Sequence, residues 1–268
     1  MNYRHAFHAG NFADCMKHAL LLVLLGLLTR KATPIFVLDT HAGRGAYDML
    51  GEAQRTGEWR SGIAKLIPPP PALEFYVGLA ERIGLYPGSP QFIRARMRPA
   101  DALACCELHP ADHAALRRVF RGDQQVSVHH RDGYEAMRAL LPPAQRRGLV
   151  LIDPPYEAPG EFERVIVSML AGAARFDHGV YAAWYPIKHR SPVTAFHSAL
   201  KASRLRDIVA AELWLREPTD PTRLNGCGLI VRNAPFGFEA EAAPILEALC
   251  TVLGEAGSGT AMLRIADE

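Results

Sequence analysis

The chain has 268 residues, 49% apolar and 22% charged, and its 30 basic and 28 acidic side chains give a net charge of +2. That balance excludes a disordered charged tail and a uniformly cationic nucleic-acid coat, and the length allows one or two domains with a full core. Cys15, Cys105, Cys106, Cys227 and Cys250 show no C-x-x-C spacing. They suggest neither a disulfide framework nor a zinc site, and they fit a reducing compartment.

The first strong pattern predicts a helix over Ala13 to Arg30. Ala19 to Leu28 carries no polar side chain, about half of what a bilayer span needs. Thr29-Arg30-Lys31-Ala32-Thr33-Pro34 offers no small-residue cleavage site, so a signal peptide is not supported. A buried helix in a soluble, cytoplasmic protein is expected, with Asp14 early and Arg30-Lys31 late to suit its dipole.

Pro34 to Asp39 then reads as a buried parallel strand, closed by the turn His41-Ala42-Gly43-Arg44-Gly45. Similar apolar runs recur at Ala102 to Glu107, Val126 to His129, Gly148 to Asp153 and Val180 to Tyr185. Helical patterns lie near Asp112 to Phe120, Tyr134 to Leu141, Glu161 to Ala174 and Pro192 to Ser203. This alternation predicts an α/β, doubly wound, mostly parallel sheet. Asp207 to Arg216 and Gly228 to Asn233 predict two further strands, an antiparallel pair closing one edge. Residues 48–88 show no strand signal, hold four consecutive prolines (Pro68 to Pro71) and a helical pattern over Leu73 to Ile83. They are expected to form a small helical insertion between the first and second strands of a single domain spanning 1–268.

The turn Gly43-x-Gly45 follows a strand, as a nucleotide-binding loop should, but Asp48 stands where a dinucleotide fingerprint needs a third small residue. No G-K-[ST] follows, so pyrophosphate is a poor candidate. Glu107 ends the second strand, where an acid accepts hydrogen bonds from ribose hydroxyls. Sixty-four residues separate it from Gly43, against the usual gap of about 20, and the insertion accounts for the excess. Asp132-Gly133 follows the third strand, where an adenine amino group could be met. Each acid could equally cap a helix, and Asp132 before Gly133-Tyr134-Glu135 has that form.

The sharpest signal is Asp153-Pro154-Pro155-Tyr156 directly after the apolar run Leu149 to Ile152. Two prolines stiffen the loop and remove two N–H donors. Asp153 and the Pro154 carbonyl can each accept one N–H from an exocyclic amine, while Tyr156 stacks on the ring that bears it. An aryl amine is a poor nucleophile because its lone pair is delocalised; two acceptors favour a pyramidal nitrogen whose lone pair can be aimed.

Asp153-Pro154-Pro155-Tyr156 resembles the signature of S-adenosylmethionine-dependent amino methyltransferases, and Asp39 to Gly45 is similar to their cofactor loop, with His41 where many carry glycine. The N-terminal run Tyr3-Arg4-His5-x-Phe7-His8-Ala9-Gly10-Asn11-x-Ala13-Asp14-x-x-Lys17-His18 resembles the start of the RlmJ family, the 23S ribosomal RNA adenine-N6 methyltransferases. So do Asp39-Thr40-His41-Ala42-Gly43, Arg55-Thr56-Gly57-Glu58, Tyr86-Pro87-Gly88-Ser89-Pro90, Glu107-Leu108-His109-Pro110, Trp184-Tyr185-Pro186 and Gly228-Leu229-Ile230-Val231. These blocks occur in order over nearly the whole chain; Phe12 and Arg44 are mild departures. The resemblance implies a Rossmann-like class I methyltransferase with a helical insertion. It implies S-adenosylmethionine contacts at His18, His41, Ser89, Glu107, Asp132 and Gly133, Asp153 as catalytic acceptor, and Tyr3 against the substrate RNA.

No metal is expected, because a sulfonium leaves as a neutral thioether and His5, His8 and His18 lack further ligands at suitable spacing. The partner implied is 23S ribosomal RNA, with a monomeric enzyme and no membrane. Candidate phosphate contacts are Arg94, Arg96, Arg98, Arg117, Arg118, Arg121, Arg146, Arg147, Lys188 and Arg190. Rival readings are a DNA adenine methyltransferase, an rRNA guanine-N2 methyltransferase, and a non-catalytic RNA-binding assembly factor on the same fold.

Overall fold

A computed structural model describes residues 8–49, 51 and 53–267. Numbered along the chain, the strands are β1 (Ile35–Asp39), β2 (Ala46–Tyr47), β3 (Tyr86–Pro87), β4 (Ala102–Cys106), β5 (Val126–His129), β6 (Arg147–Ile152), β7 (Val180–Ile187), β8 (Ile208–Trp214), β9 (Gly226–Arg232) and β10 (Gly259–Ala266). The α-helices are α1 (Phe12–Thr29), α2 (Ala53–Thr56), α3 (Glu74–Ile83), α4 (Ser89–Arg96), α5 (Pro110–Val119), α6 (Gly133–Leu140), α7 (Glu161–Ala173), α8 (Arg190–Ala202) and α9 (Phe238–Leu253).

The main sheet has the order β10-β8-β9-β7-β6-β1-β4-β5. From β5 to β7 every pairing is parallel. The chain leaves β1 toward β4 and β5, then returns to its other side at β6. Ligands bind outside the carboxyl ends of the strands at such a switch point. Successive strand residues face opposite sides, as the pleat requires. Val37, Leu103 and Leu149 pack with α1, α5 and α9, whereas Leu38, Ala104 and Val150 pack with α6, α7 and α8.

Asn11 caps α1 by accepting from the N–H groups of Ala13 and Asp14, both at 3.0 Å. The helix is long and apolar enough to cross a membrane by composition, yet 89% of it is buried in the fold. Its apolar residues meet α4, α9 and the sheet, which is the setting that a helix apolar on all sides needs. At the far end of the sheet, Arg98 donates to the carbonyls of Thr29, Lys31 and Thr33 and pairs with Asp101, tying the end of α1 to the start of β4.

The carboxyl-terminal third differs from the sequence reading in its extent. The antiparallel edge holds three strands: β9 lies between β7 and β8, and β10 covers β8. β10 is half-exposed on both faces, so its sequence shows no alternation to betray a strand. α9 was masked by Pro244 in its interior, a residue that argues against a helix. The described residues of 48–88 run through α2, three short 3₁₀ turns and α3 and end in a two-residue strand that the sequence did not signal: β3 pairs with β2 at the base (Ala46 opposite Pro87, Tyr47 opposite Tyr86).

Candidate active site

A cavity of about 420 Å³ opens at the carboxyl ends of β1, β4, β5 and β6, a size common for small-molecule sites. His18, His41, Ser89, Glu107, Asp132, Gly133 and Asp153 all line it. Pro155 lines it as well, whereas Pro154, which is buried, and Tyr156, which is half-buried, are not among the lining residues. Tyr3 falls outside the described residues.

Each wall residue is set by the element that carries it. Glu107, one residue past β4, accepts from the Gly43 N–H at 2.9 Å and the His109 N–H at 2.6 Å, so one carboxylate braces two loops. Burial raises its pKa against those two bonds. Asp132 is both things that the sequence allowed: it caps α6, accepting from the N–H groups of Tyr134 at 2.8 Å and Glu135 at 3.3 Å, and it faces the cavity. Gly133 is required by space, because a Cβ there would stand 2.0 Å from the Thr40 carbonyl oxygen. Gly43 adopts a φ of 62°, in the left-handed region that favours glycine.

Ser89, at the start of α4, donates to Asp39 Oδ2 at 2.6 Å. Burial pushes the Asp39 carboxyl up to about 7, opposed by that hydroxyl. The Thr40 hydroxyl donates its single proton to the Leu151 carbonyl at 2.9 Å and meets His41 Nδ1 at 2.7 Å. Nδ1 is therefore the protonated nitrogen of His41, and Nε2 is left as an acceptor. Burial lowers the His41 pKa to about 4, so the ring is neutral.

The central feature is an ion pair between elements 136 residues apart. Lys17 Nζ donates to Asp153 Oδ2 at 2.6 Å and lies 2.8 Å from Asp14 Oδ1, one turn earlier on α1. The lysine side chain is only 5% exposed. Burial opposes its charge, but the Asp14 and Asp153 carboxylates outweigh burial and hold its pKa well above the usual lysine value. Beyond Asp153, Tyr156 has a φ of 51°, an uncommon backbone state for a bulky residue. Its hydroxyl donates to the Trp184 carbonyl at 2.8 Å, and its ring packs against Phe162 and Trp184.

Sequence reasoning passed over Lys17, Tyr134, Glu161 and Arg164. The Tyr134 hydroxyl donates to buried Glu161 at 2.6 Å, and the Arg164 guanidinium lies over the Tyr134 ring at 4.3 Å. Glu161 and Arg164 sit on α7, directly after the Asp153–Tyr156 loop, so this network joins that loop to the Asp132 wall. Spacing in the linear chain carries two traces, Lys17 three residues after Asp14 and Arg164 three residues after Glu161, and none of the Tyr134 contacts.

The wall is acidic. Glu107, Asp112, Asp132, Asp153, Glu157 and Glu161 face it, against the cations Lys17 and Arg164. Such a surface favours a ligand that carries positive charge and hydroxyl donors, and disfavours a pyrophosphate.

Residues 32–265 match the family model described as "Ribosomal RNA large subunit methyltransferase D, RlmJ". The chain is 38% identical to Ribosomal RNA large subunit methyltransferase J of Escherichia coli (strain K12), covering 97% of both proteins. It is 36% identical to the protein of that name from Haemophilus influenzae, covering 97% of this chain and 96% of the other. The crystal structure of LPL1258 from Legionella pneumophila superimposes with a TM-score of 0.87 at 34% identity, covering 96% of this chain and 98% of that one. The chain belongs to the RlmJ family of ribosomal RNA large subunit methyltransferases.

Proposed function

We propose that the chain transfers a methyl group from S-adenosylmethionine to N6 of an adenosine in 23S ribosomal RNA. The observation that carries this reading is Asp153, fixed by Lys17 at the wall of an acidic cleft and followed by Pro154-Pro155-Tyr156. When bound, S-adenosylmethionine supplies an electrophilic methyl carbon on a sulfonium. The acidic wall offsets that charge, Glu107 accepts from ribose hydroxyls, and Asp132 with Gly133 meets the adenine. His18, His41 and Ser89 line the remaining contact surface.

The protein's own chemistry lies in holding the target amine. Lys17 occupies Asp153 Oδ2, which leaves the other carboxylate oxygen to accept one N–H of the amine. The Pro154 carbonyl accepts the second. With both hydrogens held, the N6 lone pair is directed at the electrophilic carbon. An N6 that gained a methyl group would have to lose one proton. Asp153 receives it and passes it on to water. The Tyr156 ring, locked by its bond to Trp184, offers the face on which the base stacks. A paired adenosine must leave its helix to reach it. A ribosomal substrate places the enzyme in the cytoplasm, in keeping with its five unpaired cysteines.

The test is methyl transfer from labelled S-adenosylmethionine to unmodified, protein-free 23S RNA, with DNA in parallel and digested nucleosides identified by mass. N6-methyladenosine in RNA alone is the expected product. N2-methylguanosine or labelled DNA would replace the assignment by one of its rivals. Tight cofactor binding with no transfer to RNA or to ribosomal particles would replace catalysis by a binding role.

A further inference from the structure

Topology divides the basic residues into two groups. Arg98 precedes β4, and Arg146 and Arg147 lie at the start of β6, so these stand at the amino ends of the strands, away from Asp153. Lys188 and Arg190 follow β7 at the carboxyl ends, one strand from the Asp153 loop. Of these two, Arg190 has a seat made for it. Its Nη1 donates to Glu212 Oε2 at 2.9 Å, and its guanidinium lies 4.2 Å over the Trp214 ring. Glu212 is 2% exposed and also accepts from the Tyr185 hydroxyl at 2.8 Å. That hydroxyl has one proton, so His197 Nε2, 3.0 Å away, donates to it.

The neighbouring strands are cut to fit. A Cβ on Gly228 of β9 would lie 2.1 Å from Tyr185 Cζ, and one on Gly259 of β10 would lie 2.5 Å from Trp214 Cζ2. One glycine on each strand thus makes room for the two rings beside Arg190. Glu212 itself is an expensive choice in an apolar sheet, since a neutral residue of similar size avoids its desolvation. What the carboxylate provides is an arginine fixed on two sides while 37% of its side chain still faces solvent. A pre-ordered guanidinium with exposed N–H donors suits a phosphate. The seat also shares β7 with the catalytic loop, because Trp184, next to Tyr185, receives the Tyr156 hydroxyl.

We propose that Arg190 grips a backbone phosphate of the RNA strand that carries the target nucleotide, with Glu212, Tyr185 and Trp214 as its positioning residues. This rests on the methyltransferase reading above. Arg190→Met combined with Glu212→Gln avoids stranding a buried charge and is compared with Arg190→Lys and the parent. Two readouts are taken: steady-state transfer to 23S RNA, and anisotropy of a fluorescent 23S RNA fragment titrated with salt in the absence of cofactor. The double variant should raise KM about tenfold and reduce the salt slope by about one phosphate contact, with kcat and S-adenosylmethionine affinity unchanged. Arg190→Lys should recover part of the KM. A fall in melting temperature with unchanged KM, RNA affinity and salt slope would make Arg190 merely the counterion of Glu212 and overturn the proposal. Arg190-dependent RNA binding by a parent protein that transfers nothing would keep it and overturn the reaction instead.

Discussion

Carboxylates stand at both ends of the parallel sheet, buried at one end and half-buried at the other, and they are satisfied in different ways. At the amino ends, Asp101 accepts from the Ile35 and Arg98 N–H groups, both at 2.8 Å, and from Arg98 Nε and Nη2, both at 2.9 Å. Its acceptor sites are filled within the protein, as those of a purely structural group should be. At the carboxyl ends, Glu107, Asp132 and Asp153 each receive one or two protein donors and turn the rest of their capacity toward a cavity. Unfilled acceptors weaken a fold. Their concentration at one end marks where binding rather than stability has shaped the residues.

Removing acceptor capacity at the carboxyl end should therefore stop chemistry and spare the fold. Asp153→Asn keeps the shape but can no longer take the proton. Methyl transfer should fall about 10³-fold, with S-adenosylmethionine affinity by calorimetry and the melting temperature near those of the parent. Near-normal turnover would remove Asp153 from its role. Lys17→Met should have the next largest effect, lowering kcat about 10²-fold because Asp153 loses the donor that orients it. Lys17→Arg should recover part of that rate. If Lys17→Met turns over like the parent, the Lys17–Asp153 pair belongs with the structural contacts at the other end.

The same contrast explains what could be read in advance. The strands of the parallel half announce themselves because burial on both faces leaves continuous apolar runs such as Phe36-Val37-Leu38 and Leu149-Val150-Leu151. The loops after them carry the wall residues, so Gly43, Glu107, Asp132 and Asp153 were legible from position alone. Lys17 could be placed beside Asp14 by spacing, but not beside Asp153, which lies 136 residues away. Tyr134 meets the Glu161–Arg164 pair through tertiary packing of α6 and α7, which leaves no sequence spacing to detect. The bond from the Tyr156 hydroxyl to the Trp184 carbonyl, across 28 residues, likewise leaves no spacing to detect.

At the amino ends the expectation reverses. Asp101→Asn should destabilise the fold by about 3 kcal/mol and leave the kcat of the remaining folded enzyme unchanged. Burial works to raise the Asp101 carboxyl, but Arg98 and the two backbone donors outweigh it and set its pKa below the usual range. A depressed folded pKa contributes stability above the unfolded value of about 3.9, and that stability is lost as pH falls through the folded value. Urea unfolding at neutral pH and below pH ~4 should thus show the parent converging on the variant as the medium becomes acid. An equal gap at both pH values would mean that the Asp101 charge contributes nothing.

The smallest effect lies between the two ends of this scale, where the start of α1 meets the insertion. His8 Nδ1 lies 2.8 Å from Glu58 Oε1, and Asn11, the α1 cap, donates to Glu58 Oε2 at 3.0 Å. The Glu58 contact raises the His8 pKa against burial. Here the sign is opposite to that of Asp101: the stabilisation is complete below the unfolded histidine value of about 6.5 and fades as pH rises through the folded one. Both side chains are about one-third exposed, 35% and 37%, so screening holds the contribution below about 1 kcal/mol. Global unfolding is too blunt for an effect of this size. The His8 ring should titrate above the ordinary histidine midpoint by NMR and return toward it in Glu58→Gln. Amide exchange in the first turn of α1 should quicken with pH more steeply in the parent than in that variant, beyond the intrinsic pH dependence. A His8 midpoint that ignores Glu58 would detach the insertion from the start of α1, and with it from the helix that delivers Lys17 to Asp153.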